Sequence, residues 1–215
     1  MIVEDEDLYR DMLRVSLSQN PEIVVTGTYR DPHSALADAP RADIDVAVLD
    51  IDLSSDMNGF ELGLKLRQVH AQVGIVLLSN YKEDAYTTAI LRRELTGWSY
   101  LMKRSVTNVA TLSRAVLGTA EGYVVLDPEL TRDLKPREGT RLSRLTPRQM
   151  QVMSLIAQGY NNEGIAEELG ITKKSVENTI NQVYDRLDLV HSGRRIHRRV
   201  AAVLCYLRET QPVAE

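Results

Sequence analysis

The first 120 residues alternate short apolar runs with amphipathic stretches, and this alternation restricts the folds that are open to them. The apolar runs predict strands at 1–3, 22–27, 45–50, 73–79 and 98–102. The amphipathic stretches predict helices at 6–18, 33–39, 58–70, 82–94 and 105–119. Strands that alternate with helices indicate repeated βα units and a parallel sheet. We therefore expect residues 1–120 to form a doubly wound α/β domain with five parallel strands.

The chain after residue 145 has a different pattern, in which every predicted element is a helix. Thr146 followed by Pro147 is a typical helix start, and Gly159 and Gly170 are typical stops. Four helices are predicted, at 147–158, 162–169, 172–187 and 194–208. A short helix, a turn that contains glycine and a longer helix form a helix-turn-helix. We expect this all-α domain at 144–209, with a linker at 121–143.

The composition excludes several classes of protein. No apolar run reaches the 18 residues that suggest a membrane-spanning helix. The first residues lack the basic flank and the long apolar region of a signal peptide, and the single cysteine, Cys205, excludes an intramolecular disulfide. We therefore expect a cytoplasmic protein with no membrane partner.

The two parts of the chain differ in charge. Residues 1–140 carry 22 acidic and 15 basic side chains, whereas 141–215 carry 8 acidic and 11 basic ones. An acidic first part and a basic second part indicate two different partners. The basic excess is a weak signal for nucleic acid, because a solvated surface of mixed charge would look similar.

Polar residues follow four of the predicted strands, at the point where each strand ends. They are Glu4, Asp5, Asp50, Ser79 and Lys103. The carboxyl ends of parallel strands form one crevice, where ligands bind. Carboxylates suit Mg²⁺, an aspartate can become an aspartyl phosphate, and a lysine and a hydroxyl can bind phosphoryl oxygens. Each residue alone also fits a structural role, such as a helix cap or a solvated turn, but their joint placement favours a site.

These residues belong to motifs that resemble the receiver domain of two-component response regulators, which has a flavodoxin-like fold. The motifs are Val3-Glu4-Asp5, Val48-Leu49-Asp50, Leu77-Leu78-Ser79 and Tyr100-Leu101-Met102-Lys103. The resemblance implies that Asp50 is the phosphoacceptor and that Mg²⁺ binds to Glu4, Asp5, Asp50 and the carbonyl of Asp52. It also implies that Ser79 and Tyr100 form the switch pair and that Lys103 is the family's lysine. One departure is that Ser54-Ser55 stand where that family usually has proline.

The second part resembles the LuxR-type helix-turn-helix over about 143–207, in the segments Leu145–Arg148, Ile165–Leu169 and Ser175–Thr179. A receiver joined to this module is typical of the NarL/LuxR class of transcription factors. The resemblance implies that double-stranded DNA contacts Arg148, Asn161, Lys173, Lys174, Ser175, Asn178, Asn181, Gln182 and Arg186. These positions would also suit the solvated face of an ordinary helix.

Two acidic residues depart from the LuxR-type pattern. Glu163 and Glu177 stand where lysine is common, which should weaken binding because phosphate contacts supply much of the affinity for DNA. The last helix has an apolar stripe, and by resemblance it pairs two subunits. That resemblance implies a dimer interface at Val200, Leu204 and Cys205.

The leading hypothesis is a transcriptional regulator that binds DNA. A sensor histidine kinase would phosphorylate Asp50 in the presence of Mg²⁺, and the protein would dimerise on activation. The expected catalytic activity is slow autodephosphorylation at most. A second hypothesis is a regulator independent of phosphorylation, or a protein-binding adaptor. A third is a phosphatase of the haloacid dehalogenase type, because Asp50-Ile51-Asp52 resembles its nucleophile motif. Against the third, the motif follows the third strand rather than the first, and no late pair of acids follows Lys103.

Overall fold

The chain forms two compact units that divide after Val125. The computed structural model describes residues 1–80, 96–132, 134–189 and 197–210. The predicted helix at 82–94 and the first residues of the predicted helix at 194–208 lie outside this range. Within the described residues, no helix has both the length and the apolar character that crossing a membrane requires.

The first unit is built on a sheet of five parallel strands in the order β2-β1-β3-β4-β5. The strands are β1 (Ile2–Val3), β2 (Thr28–Tyr29), β3 (Val46–Asp50), β4 (Gly74–Ser79) and β5 (Trp98–Met102). Every residue of β3, β4 and β5 is buried. Strands that are buried on both faces have continuous apolar sequences, as in the run that precedes Asp50. The prediction of a doubly wound α/β domain is therefore confirmed.

Four helices accompany this sheet in the described residues. They are α1 (Asp7–Ser18), α2 (Pro32–Asp38), α3 (Gly59–Val69) and α4 (Val109–Ala120). Side-chain caps define several of their starts, because the first amides of a helix have no partner within it. Asp31 caps α2, Asn108 caps α4, and Asn58 forms a capping box with Glu61 at the start of α3. Short 3-10 turns follow α2 at Ala39–Arg41 and β5 at Lys103–Thr107.

The prediction of the second strand at 22–27 was wrong, since β2 comprises only Thr28 and Tyr29. Ile23 and Val25 are apolar because they pack against the core beneath the sheet, whereas Val24 is 80% exposed. Pairing with β1 starts only at Gly27, whose carbonyl accepts from the Ile2 amide at 2.9 Å. The apolar alternation therefore marked a segment that packs on the core without pairing in the sheet.

Gly59 allows α3 to begin directly against the end of β3. A Cβ atom at this position would lie 2.8 Å from the carbonyl carbon of Asp50 and closer still to its oxygen. The Gly59 amide donates to the Ile51 carbonyl at 3.1 Å, which closes the loop between β3 and α3. Only a residue without a side chain fits this approach of two backbone segments.

We predict that Gly59→Ala lowers the free energy of unfolding of the first unit by about 1–3 kcal/mol, because the added methyl group must displace backbone. Urea unfolding followed by the fluorescence of Trp98 measures this effect, since Trp98 is the only tryptophan and is fully buried in β5. Lys65→Ala is the control, because Lys65 is exposed on the same helix. Equal midpoints for Gly59→Ala and the wild type would contradict the prediction.

The second unit is helical in its described residues. Its helices are α5 (Pro128–Arg132), α6 (Pro147–Ala157), α7 (Asn162–Leu169), α8 (Lys173–Arg186) and α9 (Arg198–Thr210). A 3-10 turn at Leu142–Arg144 precedes α6. Thr146 forms a capping box with Gln149, Thr172 caps α8, and Gly170 ends α7 in the left-handed region with φ of 62°. The turn between α7 and α8 therefore has the helix-turn-helix form that the glycine and the threonine predicted.

The residues predicted as a linker at 121–143 are packed on the units at both ends. Residues 122–125 lie along β5, where the Tyr100 amide donates to the Val125 carbonyl at 2.9 Å and the Ser99 hydroxyl accepts from the Val125 amide at 3.0 Å. In the second unit, the Leu126 amide donates to the Ala157 carbonyl at 2.8 Å. Buried apolar side chains accompany the proline and glycine residues of this stretch, and its role as a linker stays a prediction. These side chains are Val124, Val125, Leu126 and Leu130.

Candidate functional site

The ends of β1 and β3 bring three carboxylates together. The strands pair in register, Ile2 with Val48 and Val3 with Leu49, so the residue after β1 lies beside the last residue of β3. Glu4, Asp5 and Asp50 each offer an oxygen within 4.8 Å of the others. We call these three residues the acidic cluster. The structure thus places them together as the strand-end argument predicted.

Lys103 follows β5 and lies against two members of this cluster. Its Nζ atom is 2.9 Å and 3.1 Å from the two Glu4 carboxylate oxygens and 3.1 Å from Asp50 Oδ2. All three side chains are buried, with Glu4 fully so. Buried charges are tolerated only when they are paired, so the lysine and the two carboxylates depend on one another.

Burial also shifts the protonation of these groups. It raises the pKa of Glu4 from its ordinary 4.5 to about 7, although the hydrogen bond from Lys103 opposes the shift. Burial raises the pKa of Asp50 as well, again against the charge of Lys103. Burial alone would lower the pKa of Lys103, but the two carboxylates outweigh it and raise that pKa. For Asp5, burial would raise the pKa, but hydrogen bonds from Ser54 prevail and lower it.

We predict that Glu4 makes the metal-free first unit less stable as pH rises. A carboxyl whose pKa is higher in the folded state than in the unfolded state stabilises the fold when it is protonated. This stabilisation is complete below the pKa of the unfolded state, and it is lost as the pH rises to the pKa of the folded state, here between pH 4.5 and about 7. The loss amounts to about 3 kcal/mol by linkage. Urea titrations in EDTA, followed by Trp98 fluorescence, should show a flatter pH dependence for Glu4→Gln than for the wild type. Equal slopes would contradict this role of Glu4.

The chemistry of the acidic cluster fits a divalent cation with hard oxygen ligands. Glu4 Oε2 is buried and accepts no well-formed hydrogen bond, even though Lys103 Nζ is 2.9 Å away. A buried carboxylate oxygen without a donor is costly, and a cation would satisfy it. Asp52 is exposed, and its amide donates to Asp50 Oδ1 at 3.3 Å, so its backbone lies beside the cluster.

The two residues predicted as a switch pair lie deep in the sheet. Ser79 and Tyr100 are both fully buried. Ser79 ends β4 one residue beyond Leu78, the residue that pairs with Asp50. It therefore lies at the same sheet edge as the acidic cluster, whereas Tyr100 pairs with Leu77 within the sheet.

Sequence reasoning missed two residues of this site. The ring of Tyr9 lies 4.6 Å from Lys103 Nζ, and its hydroxyl donates to the Lys103 carbonyl at 3.2 Å. The hydroxyl and the amide of Ser54 both donate to Asp5 Oδ2. Neither residue follows a strand, so the pattern that revealed the acidic cluster contains no signal for them.

The helix-turn-helix exposes most of the residues predicted to contact DNA. Val176, Ile180 and Val183 are buried and attach α8 to the domain, as the apolar stripe predicted. The opposite face of α8 and the residue before it are exposed to solvent. The exposed candidates on α8 are Lys173, Lys174, Ser175, Asn178, Asn181, Gln182 and Arg186.

Other predicted contacts have structural partners within the domain. Arg148 donates to Gln151 Oε1 at 3.1 Å and to the Leu169 carbonyl at the end of α7 at 3.3 Å. Arg186 donates to the Arg144 carbonyl at 2.7 Å. Asn161 caps α7, and Gln182 accepts from the buried Gln149 at 3.1 Å. Their roles in binding DNA stay predictions, but each also holds the domain together.

The two lysines at the start of α8 are paired with the two acids that depart from the LuxR-type pattern. Lys173 Nζ lies 3.5 Å from Glu163 Oε1, and Lys174 Nζ lies 3.5 Å from Glu177 Oε2. All four side chains are at least 40% exposed. Exposed pairs of this kind are weak, and a stronger anion could compete for either lysine.

The residues predicted as a dimer interface on the last helix are buried within the single chain, and that interface stays a prediction. Val200, Leu204 and Cys205 are at most 4% exposed, so the structure does not present them to a partner. The segment before α6 covers that side of α9. Arg141 donates to Cys205 Sγ at 3.5 Å, and the Tyr206 hydroxyl donates to the Thr131 carbonyl at 3.2 Å. Burial accordingly raises the pKa of the Cys205 thiol to about 12.

Each of the two units matches a known protein family. Residues 1–115 match the family described as response regulator receiver domain, and residues 143–199 match the bacterial regulatory proteins of the luxR family. The response regulator protein VraR of Staphylococcus epidermidis is 28% identical over 88% of this chain and 90% of its own length. VraR of Staphylococcus aureus strain NCTC 8325 has the same identity and coverage.

Solved structures share the fold. A structure of the Salmonella typhimurium response regulator RcsB aligns with a TM-score of 0.54 and 19% identity over 94% of each chain. A structure of two RcsB dimers bound to two parallel DNAs aligns with a TM-score of 0.53 and 20% identity, over 98% of this chain and 97% of that one. The receiver match extends over more than half of the 215 residues. From these matches, the chain belongs to the two-component response regulators of the NarL/LuxR class, in which a receiver domain precedes a LuxR-type regulatory domain.

Proposed function

We propose that this chain is a cytoplasmic transcriptional regulator whose binding to double-stranded DNA is switched by phosphorylation of Asp50. The observation that carries the proposal is the buried Asp50 carboxylate, which lies 3.1 Å from Lys103 Nζ and beside Glu4 and Asp5. This arrangement combines a nucleophile, a cation for the phosphoryl oxygens and ligands for a metal. The phosphoryl donor is a sensor histidine kinase, the partner that this family of proteins implies.

The phosphoryl transfer begins with an oxygen of the Asp50 carboxylate. It attacks the phosphorus of a phosphohistidine, a P–O bond forms, and the P–N bond breaks as the imidazole leaves and takes up a proton. Mg²⁺ would be held by Glu4, Asp5, Asp50 and the carbonyl of Asp52, and it supplies positive charge against the transferring phosphoryl group. Lys103 pairs with the phosphoryl oxygens of the product. Hydrolysis of the acyl phosphate is slow, so the protein acts as a switch rather than as a catalyst.

Phosphorylation changes the structure at the end of β4 and in β5. The Ser79 hydroxyl binds the phosphoryl group, and Tyr100 repacks behind it. The Tyr100 amide is bonded to Val125 at the end of the first unit, so a movement of β5 reaches the junction with the second unit. We place the receiver at 1–125 and the DNA-binding domain at 126–210. Dimerisation on activation would then need a surface other than the buried side chains of α9.

The DNA interface is the exposed face at the start of α8. Asn178 and Asn181 suit base edges in the major groove, and Lys173 and Lys174 suit phosphates. Arg148, Asn161, Ser175, Gln182 and Arg186 are the remaining candidates. Since Lys173 and Lys174 are paired with Glu163 and Glu177, the protein must break these pairs when it binds phosphate.

We predict that the double variant Glu163→Gln and Glu177→Gln binds DNA about fivefold more tightly, because it abolishes two exposed pairs worth about 0.5 kcal/mol each. The slope of affinity against salt should change by less than the value of about 0.9 for one phosphate contact, because the same lysines bind phosphate in both proteins. Electrophoretic shift assays over a salt series measure both quantities. Glu167→Gln with Glu168→Gln is the matched control, since it removes two exposed charges elsewhere on the same unit. A larger gain in the control would contradict the assignment.

The same pairs favour one alternative function. If the lysines never release Glu163 and Glu177, the second unit would bind protein rather than DNA, and the chain would be an adaptor. A shift assay with the chain's own promoter region separates the two functions, because an adaptor binds no fragment specifically at any salt concentration. The phosphatase hypothesis has no support, because the chain belongs to the response regulators and not to a family of enzymes.

The mechanism is tested in cells that carry Asp50→Ala in place of the natural gene. We expect the target promoters to lose their response to the stimulus, because alanine cannot form the acyl phosphate that Asp50 forms. Immunoblots must show equal protein levels in both strains. A promoter response of unchanged amplitude would overturn the phosphorylation mechanism.

A further inference from the structure

The loop between β3 and α3 reaches back to the acidic cluster. Ser54 donates two hydrogen bonds to the same oxygen of Asp5, one from its hydroxyl at 2.5 Å and one from its amide at 3.2 Å. The two residues are separated by 49 positions in the chain. Asp5 is only partly buried, so without these bonds its side chain could rotate towards solvent.

The loop is itself held in place by other contacts. His33 Nε2 at the start of α2 lies 2.7 Å from Asp56 Oδ1, and the Ser55 hydroxyl donates to the same oxygen at 2.9 Å. The Gly59 amide closes the loop on Ile51. These contacts leave Ser54 facing Asp5, so the two hydrogen bonds come from a fixed backbone segment. Proline, the residue usual here in the family, has neither an amide hydrogen nor a hydroxyl and could make neither bond.

We propose that Ser54 is a positioning residue for Mg²⁺ binding, which holds the Asp5 carboxylate in the orientation that the cation requires. The inference rests on the proposed function, because it assigns Asp5 to the metal site. Hydrogen bonds from neighbouring residues orient metal-binding carboxylates, and their loss weakens affinity. Both hydrogen bonds of Ser54 go to Asp5 and neither goes to Asp50, so it acts on phosphorylation through Asp5.

The test compares Ser54→Ala, Ser54→Thr and Ser18→Ala in the full chain. Calorimetric titration with MgCl₂ should show an affinity about tenfold lower for Ser54→Ala, since one of the two bonds to Asp5 is lost. Ser54→Thr keeps both donors and should bind as the wild type does. Ser18→Ala is the matched control, because it removes an exposed hydroxyl at the end of α1, outside the loop and the acidic cluster. Thermal unfolding of the metal-free proteins checks that all three variants are folded.

A second readout separates positioning from a general loss of structure. With acetyl phosphate as donor, Ser54→Ala should be labelled more slowly than the wild type at low Mg²⁺ and at the same rate at saturating Mg²⁺. The inference is overturned if Ser54→Ala binds Mg²⁺ as tightly as the wild type, or more tightly, or if saturating Mg²⁺ leaves its rate reduced. If the wild type binds no Mg²⁺, the proposed function fails instead, so the two failures are distinguishable.

Discussion

Replacing Lys103 with methionine is expected to lower the free energy of unfolding of the first unit by about 3–5 kcal/mol at pH 8, because it leaves a buried charge unpaired. The lysine is the cation between two buried carboxylates, 2.9 Å from Glu4 and 3.1 Å from Asp50. Without it, burial raises the pKa of both carboxyls further. The loss should therefore be smaller at pH 5, where the carboxyls can take up protons.

Urea unfolding followed by Trp98 fluorescence measures the effect in the first unit alone. Lys65→Met is the matched control, since it makes the same substitution at an exposed position of α3. Adding Glu4→Gln to Lys103→Met should restore part of the stability by removing one of the unpaired carboxylates. If Lys103→Met were as stable as Lys65→Met at pH 8, the lysine would not be holding the cluster together.

Replacing Asp50 with asparagine is expected to abolish covalent labelling by acetyl phosphate and Mg²⁺. An amide is not a nucleophile for phosphorus under these conditions, and Glu4, the other carboxylate paired with Lys103, is fully buried and accepts from the Glu6 amide at 3.2 Å. Intact-protein mass spectrometry detects the phosphoryl group directly. The wild type should gain one phosphoryl group, and Asp50→Asn should gain none.

The control for this experiment is Asp43→Asn, which changes an exposed aspartate before β3, at the other end of the strand from Asp50. It should be labelled as rapidly as the wild type. Labelling of Asp50→Asn at the wild-type rate would mean that another residue is the phosphoacceptor. If neither the wild type nor Asp43→Asn were labelled, the first unit would not be a phosphorylated receiver.

Much of the first unit could be predicted because buried parallel strands carry their own signal. Apolar runs located β3, β4 and β5, and the polar residue after each run located Asp50, Ser79 and Lys103. The strand-end rule then predicts that these three residues lie at one edge of the sheet. The same rule could not find Ser54 or Tyr9, whose contacts with Asp5 and Lys103 join residues 49 and 94 positions apart.

Two further differences between the sequence-based predictions and the structure have identifiable physical causes. The prolines and glycines at 121–143 predict a linker, and its apolar side chains Val124, Val125, Leu126 and Leu130 are nevertheless buried. The single apolar stripe predicted for the last helix understates its burial, because Leu204, Cys205 and Tyr206 make the middle of the helix apolar on its other faces as well. Residues 202–207 are accordingly all buried, whereas Arg198 and Arg208 near the two ends are exposed.

The central claim is that phosphorylation of Asp50 controls the binding of DNA by the second unit. The most direct measurement takes one sample treated with acetyl phosphate and Mg²⁺ and determines its mass, its oligomeric state and its affinity for promoter DNA together. We predict that the labelled wild type dimerises and binds DNA at least about tenfold more tightly, a difference of about 1.4 kcal/mol, while treated Asp50→Asn stays unchanged. Full labelling of the wild type without a change in oligomeric state or in affinity would contradict the account.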